Sequence, residues 1–166
     1  PLDARMRPLR PAIVWLDTRA EQQTRWLQEN LDLEQFRRRT GADAPNSVAS
    51  APKMLWIRQY EPQVWQRTRC LMMLPDWIGW RLTGQRRLDV HNAGSTHLVD
   101  REAEDWWDEA LALVGVPREW LSPLGWPGEP IGPVSETAAA ELGIAPGAIV
   151  ALGCNDQLNG AVGAGN

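Results

Sequence analysis

The chain has 166 residues, 43% of them hydrophobic and 23% charged, with a formal net charge of -4. That balance describes an ordinary folded domain with a real core and excludes a disordered chain. The acidic charge also argues against a nucleic-acid partner, which needs a basic face to displace counterions. In chain order, Ala12 to Asp17 (AIVWLD) is a short apolar run of strand character. Thr18 to Glu21 has the spacing of a capping box, and a helix is predicted to about Leu31 with Ala20, Thr24 and Leu27 inward. A shorter helix follows over Leu33 to Arg39 and stops at Gly41.

Gly41 to Ser50 is rich in small and polar residues and reads as a loop. Pro52-Lys53 opens the next helix; Met54, Leu55, Trp56 and Ile57 are apolar on all sides, which predicts burial between neighbours. Pro62 ends that helix and a short one follows. Cys70 to Leu74 is a second strand-like run. Pro75-Asp76 starts a helix with Trp77, Ile78, Trp80 and Leu82 inward, ended by Gly84. Leu88 to Asp100 is expected to be partly irregular. Glu104 to Val114 is an amphipathic helix with Trp107, Leu111 and Val114 on one stripe. Pro117 to Pro133 is a surface connection, and Ser135 caps a small helix through Leu142. Ala148 to Gly153 (AIVALG) is a buried strand and Asp156 to Ala164 a helix of small residues. Strands interleaved with helices make the chain α/β.

Several residue types exclude chemistry as much as they suggest it. Arg37-Arg38-Arg39 and Arg86-Arg87 read as a solvated helix end and a solvated turn. Cys70 and Cys154 are far apart and suggest no disulfide framework, so a reduced, cytoplasmic compartment is expected. The uncharged run from Leu142 to Asn155 is broken by Pro146 and glycines and is shorter than the roughly 20 apolar residues that cross a bilayer. No membrane partner is expected. His91 and His97 have no Cys or carboxylate cluster at ligand spacing, so no protein-bound metal is expected. Cys154 fits a buried small residue at a strand end better than a nucleophile. Gly160, Gly163 and Gly165 lack the lysine of a phosphate loop, and small residues three apart suit close packing. The chain opens at Pro1 and ends on Gly163-Ala164-Gly165-Asn166, which leads us to expect a functional unit larger than these residues.

The most informative stretch is AIVALGCNDQLNGAVGAG. A strand ends at Gly153, turns through Cys154-Asn155 and delivers Asp156 at a helix start. Open α/β sheets place ligands at such carboxyl ends of strands, and the helix N-terminus keeps a carboxylate there charged. Such an aspartate can orient a hydroxyl and accept its proton in phosphoryl transfer. Locally, a helix-capping Asp with no chemistry is the commoner meaning. Trp15, beside Asp17 near the end of its strand, is placed either to touch a ligand or to pack. The other tryptophans mostly lie at helical spacing among aliphatic residues, as core residues do.

Six segments in order change that balance. AIVWLDTRA, TGADAPNSVASAPKMLWIRQ with Lys53 and Trp56, LPDWIGWRLTG, DVHNAGSTHLVD, DWWDEALALVGVPREWLSPL and the run from Pro130 to Gly165 together resemble the FGGY carbohydrate kinases. That group contains glycerol kinase, xylulokinase, ribulokinase and gluconokinase. The resemblance implies an α/β, ribonuclease H-like (actin-like ATPase) domain of a sugar kinase, incomplete at both ends. Residues 1–147 would be part of its N-terminal substrate-binding domain. Residues 148–166 would be the strand, catalytic-Asp turn and helix that close it before an ATP-binding domain. It implies ATP and Mg²⁺, bound largely outside this chain, and a small-molecule sugar or polyol as partner, with a homodimer as an option. Asp156 falls on the catalytic base, Gln157 on a residue that bonds substrate, and Trp15 on an aromatic against the sugar's carbon skeleton. Asp17 and Arg19 belong to the Trp15 motif, as substrate contact or as turn former. Val48 and Tyr60 depart from the Lys-x-x-Trp signature, and Val90 stands where glycerol kinase has a substrate-contacting tyrosine. That replacement speaks against glycerol, while Asn92-Ala93-Gly94 and Gly160-Ala161-Val162-Gly163 resemble the xylulokinase subgroup and make a ketopentose such as xylulose the favoured substrate. A non-catalytic sugar-binding or regulatory module on the same fold is the alternative.

Overall fold

The structure is a computed structural model and describes residues 1–165. In chain order its elements are α1 (Glu21–Asn30), α2 (Leu33–Thr40), α3 (Ser50–Tyr60), α4 (Pro62–Arg67), α5 (Leu74–Thr83), β1 (Leu88–Asp89), α6 (Val90–Gly94), β2 (Val99–Asp100), β3 (Asp105–Trp106) and α7 (Asp108–Val114). A 3₁₀ turn at Arg118–Trp120 follows, then β4 (Leu124–Gly125), β5 (Pro130–Pro133), α8 (Glu136–Leu142), β6 (Ile149–Ala151) and α9 (Asp156–Gly163). The chain divides into two units. One is Pro1–Leu71 with Ala93–Leu121; the other is Met72–Asn92 with the residues from Ser122 onward. No helix among the described residues is long and apolar enough to cross a membrane.

The first unit is helical, with one two-stranded ribbon. Helix α1 turns Ala20, Thr24 and Leu27 inward, as its spacing predicts. Helix α2 starts where Asp32 Oδ1 accepts from the backbone N–H groups of Glu34 (2.9 Å) and Gln35 (3.1 Å). It stops at Gly41, whose φ of +77° is open to glycine at little cost. Phe36 on α2 is fully buried, its ring 5.3 Å edge-on from His97 and 6.3 Å from Trp107. Leu27, Leu55, Ile57, Leu98, Leu111 and Val114 complete this core; each such side chain taken from water contributes about 1.5–3 kcal/mol. Burial holds the His97 imidazole neutral, its pKa lowered to about 4. The arginine run is a structural feature here, since Arg37 pairs with Asp43 and Arg39 with buried Asp100. Helix α7 begins later than its periodicity suggests, because Asp105–Trp106 pair antiparallel with Val99–Asp100.

In the second unit, β1 pairs in parallel with β4, Leu88 opposite Leu124 and Asp89 opposite Gly125. Strand β6 pairs antiparallel with β5. Helix α8, capped by Ser135 as its sequence predicts, packs Ala138 and Ala139 on Val134, Leu82 and Val150. Helix α5 buries Asp76 and Gly79 rather than the predicted Trp77, Ile78, Trp80 and Leu82. At the inward face the approach is close: a Cβ on Gly79 would lie 2.9 Å from Ile131 Cδ1, so a larger residue there would have to displace the Ile131 side chain. The large side chains are left half-buried or, for Ile78, exposed.

Other expectations fail as well. Ala12–Asp17 forms no strand: Val14, Trp15 and Leu16 lie in a turn and are exposed, with no paired edge among the described residues. Cys70 makes only an isolated bridge to Leu2, and Leu74 already begins α5. Strand β6 exists but is exposed on one face, with Ile149 open to solvent. The packing expected at Gly160 and Gly163 is not made among the described residues, where an added Cβ would meet nothing within 4 Å. Among the tryptophans, Trp106 and Trp107 are buried, Trp15, Trp26 and Trp126 exposed, and the rest half-buried.

Asp76 carries a pH signature. It is 1% exposed and accepts a 2.6 Å bond from Ser122 Oγ, and burial above all pushes its carboxyl from 3.8 up to about 7. The folded chain therefore keeps a proton that the unfolded chain has released. Stability is full below the unfolded value and falls as pH climbs from near 4 toward 7. Asp76→Asn keeps the acceptor for Ser122 and removes the titration. Thermal melts at pH 5 and pH 8 should show the parent chain less stable at the higher pH and the variant nearly unchanged. Equal losses in both would remove Asp76 as the cause.

Candidate functional site

In the first unit, the segment around Trp15 is organised by charge rather than by strand pairing. The backbone turns where Asp17 N–H donates to Val14 O at 3.1 Å. The expected Thr18–Glu21 capping box does not form. Ala20 occupies the cap position without a side-chain bond, and Asp17 takes over the ordering role. Its Oδ1 accepts from the Arg19 backbone N–H and Nε, each at 2.9 Å, and its Oδ2 from Arg19 Nη2 at 2.7 Å. The Arg19 side-chain bonds, then its backbone N–H, hold the Asp17 carboxyl down at about 2. Asp17 is therefore an anion at any physiological pH. The guanidinium of Arg19 also sits 4.9 Å over the ring of Trp56, which stacks on Tyr60 at 5.5 Å. Tyr60 in turn donates to Gln22 Oε1 at 2.9 Å.

Beneath the turn lies Lys53. Its residue is 5% exposed, and its ammonium donates to the carbonyls of Trp15 (3.0 Å), Ser47 (2.8 Å) and Val48 (2.9 Å). An ammonium has three donors, and all three are used. Burial lowers its pKa and the charge of Asp17 partly offsets this. Sequence reasoning marked Lys53 only as part of a signature. The signal that could have raised it further was there: a single cation inside Ala51 to Ile57, an otherwise apolar stretch, has to find acceptors. Trp15 itself, 63% exposed, stands clear of packed neighbours between Val14 and Leu16.

In the second unit, β6 leads through Leu152 and Gly153 into the start of α9. Three side chains fix this passage. Asn155 Oδ1 accepts from Gln157 N–H at 2.9 Å and caps the helix. Asn159 Nδ2 donates to the Cys154 carbonyl at 3.0 Å, while the Cys154 thiol faces Asn159 Oδ1 at 2.9 Å. Cys154 is thus half-buried and bound to its own turn rather than sunk in a core. The cap role falls to Asn155 and leaves Asp156 at the first helical position. Asp156 Oδ1 accepts from Gln157 N–H at 2.9 Å, and its other oxygen has no partner among the described residues. Asp156 and Gln157 are both exposed, and the helix N-terminus favours a negative charge there.

Alongside β6 runs a small cleft of about 130 Å³, lined by Ile78, Asp89, Ile131, Val150 and Gly153 among others. Its acidic residue is committed: Asp89 accepts from Asn92 N–H (2.9 Å) and Nδ2 (2.7 Å). Arg87 is paired with Glu129. The structure so brings Trp15 and Asp17 together in one unit, and Asp156 and Gln157 in the other. No three His, Cys, Asp or Glu side chains among the described residues form a group that could hold a metal ion.

Residues 1–163 match the FGGY family of carbohydrate kinases, N-terminal domain. The chain is 30% identical over 119 residues to the autoinducer-2 kinase of Klebsiella pneumoniae subsp. pneumoniae, a match over 72% of this chain and 22% of that protein. Among solved structures it is similar to the xylulose kinase from Rhodospirillum rubrum, with a TM-score of 0.94 and 29% identity over 99% of this chain and 33% of that one. It is also similar to a xyloylose kinase from Brucella ovis, with a TM-score of 0.86 and 31% identity over 94% of this chain and 31% of that one. The chain thus spans between about a fifth and a third of the length of these relatives. With the family matched over almost every residue, and with an α/β fold shared with sugar kinases of the actin-like ATPase type, this chain belongs to the FGGY family of carbohydrate kinases.

Proposed function

We propose that this chain is the sugar-side part of a kinase that transfers the terminal phosphoryl group of ATP to a hydroxyl of a small sugar or polyol. Asp156 carries the reading. It is an exposed carboxylate at the first turn of α9, with one oxygen uncommitted, on a turn pinned by Asn155 and Asn159, in a chain of a carbohydrate-kinase family.

In this reading the acceptor hydroxyl donates to the free oxygen of Asp156. As the new O–P bond forms and the terminal phosphoryl group leaves the nucleotide, the hydroxyl proton passes to that carboxylate. Its first task is to aim the hydroxyl, with proton transfer following late as the new bond forms. Gln157, the next residue, holds a second hydroxyl. Trp15 covers the apolar face of the carbon skeleton, and Asp17 fixes the Trp15 turn and offers its remaining lone pairs to a hydroxyl. Residues 1–147 belong in this scheme to the substrate-binding domain, and 148–166 supply the catalytic turn and the helix that follows. The described residues contain no metal-binding group of side chains and no lysine-bearing phosphate loop. In this proposal ATP and Mg²⁺ are bound largely by other segments of the protein. A cytoplasmic setting completes the proposal.

A ketopentose is the first choice of acceptor, supported by two solved relatives described as kinases of xylulose or xyloylose. The relative named for autoinducer-2 makes that molecule the second. A coupled assay of the intact protein across a panel holding xylulose, glycerol, gluconate and autoinducer-2 separates them. Binding without turnover across the panel would leave only a sugar-binding module. Asp156→Ala should cut kcat by about 10²–10⁴ while far-ultraviolet circular dichroism stays unchanged; near-normal turnover would take Asp156 out of the mechanism. Trp15→Ala should raise KM for the sugar about ten-fold with kcat little changed. An unchanged KM would leave the ring without a role in binding.

A further inference from the structure

A buried ammonium that spends all its donors on backbone carbonyls is an unusual way to hold a loop. Lys53 lies on α3, whose inward face is otherwise apolar: Ala51, Pro52, Met54, Leu55 and Ile57 are all buried. A methionine there would fill much the same volume with no charge to desolvate. The cation costs stability to bury unless its bonds do something apolar packing cannot. What they do is specific. One bond reaches the Trp15 carbonyl, across 38 positions of sequence, and the other two reach the adjacent carbonyls of Ser47 and Val48. Two segments without regular structure, the turn at Val14–Asp17 and the end of the loop before α3, are thereby tied to one point on a rigid helix.

The tie is the more telling because little else holds Trp15. Its side chain and those of Val14 and Leu16 are all more than 60% exposed, so side-chain burial does not fix the segment. On its other side, Asp17 is locked to Arg19, and Arg19 to the ring of Trp56, one helical turn along α3 from Lys53. The Trp15 backbone thus has two anchors, both on α3: Lys53 directly and Trp56 through Arg19 and Asp17.

Resting on the kinase reading above, we infer that Lys53 is a positioning residue for the sugar: it sets the height and orientation of the Trp15 turn without touching substrate. The prediction is a split in the kinetics. Lys53→Gln in the intact protein should raise KM for the sugar about five- to ten-fold and leave kcat within about three-fold. Because Lys53 acts through Trp15, the effects should not multiply. The Lys53→Gln, Trp15→Ala double variant should have a KM within about two-fold of Trp15→Ala alone. Hydrogen–deuterium exchange gives a second readout. Amides of 13–18 and 46–49 should exchange faster in Lys53→Gln while α3 keeps its protection.

An active parent whose KM is unmoved by Lys53→Gln overturns the positioning role and leaves the kinase reading standing. So does a double variant whose KM is the product of the single effects, or an α3 that loses protection along with the loops, which would make Lys53 a determinant of folding. A Trp15→Ala variant with unchanged KM also overturns the inference, because it removes the group through which Lys53 acts. A parent that phosphorylates nothing in the panel overturns the kinase reading itself.

Discussion

The first unit depends on one electrostatic requirement: the ammonium of Lys53, taken out of water by α3, must find acceptors, and the acceptors within reach are backbone carbonyls. A side chain that satisfied itself with a carboxylate would have made an ordinary ion pair. By taking the oxygens of Trp15, Ser47 and Val48 instead, it converts a desolvation cost into the geometry of two loops. Asp17 lies near enough for its charge to favour the ammonium, yet its own hydrogen bonds go to Arg19. The two ionic centres support one turn from two sides, and Trp15 stands at its apex.

The second unit solves a comparable problem with neutral groups. The passage from β6 into α9 exposes a carboxylate and is fixed by a pair of asparagines. Asn155 accepts from the N–H of Gln157, the second residue of α9, and Asn159 returns to the Cys154 carbonyl. Asp156 is thereby relieved of the capping role that aspartates at this position so often take. A carboxylate that is ordered by its neighbours and still has an open oxygen is what proton acceptance from an alcohol requires. The amide caps carry no charge of their own, so they leave the charge of the site to Asp156.

Much of this was legible in the sequence, and the failures share a cause. Several helix termini with local chemistry came through, Gly41 and Gly84 as left-handed stops, Ser135 as a cap and the turn into Asp156, while the Thr18–Glu21 capping box did not form. The strands did worse. AIVWLD has the composition of a buried strand, but strand formation depends on a paired edge that composition cannot supply, and among the described residues it lies in an exposed turn. Helix α5 shows the opposite error. Its tryptophans suggested an inward stripe, whereas the face turned inward holds Gly79, close to Ile131, and Asp76. Both outcomes rest on contacts distant in sequence. The candidate site residues were nominated through ordered motifs, Asp156 foremost. Lys53 was visible as a signature residue, while its role needed the position of three carbonyls that no local pattern announces.

In the proposed reaction Asp156 serves the chemical step and not the grip on the sugar. Titration calorimetry of the best acceptor in the panel, onto the intact protein and onto its Asp156→Asn variant, tests this directly. Affinities within about three-fold of each other are expected, because the amide still accepts a hydrogen bond from the hydroxyl while being unable to take its proton. A variant that no longer binds the sugar would contradict it, and would make Asp156 a binding residue whose loss of turnover says nothing about proton transfer.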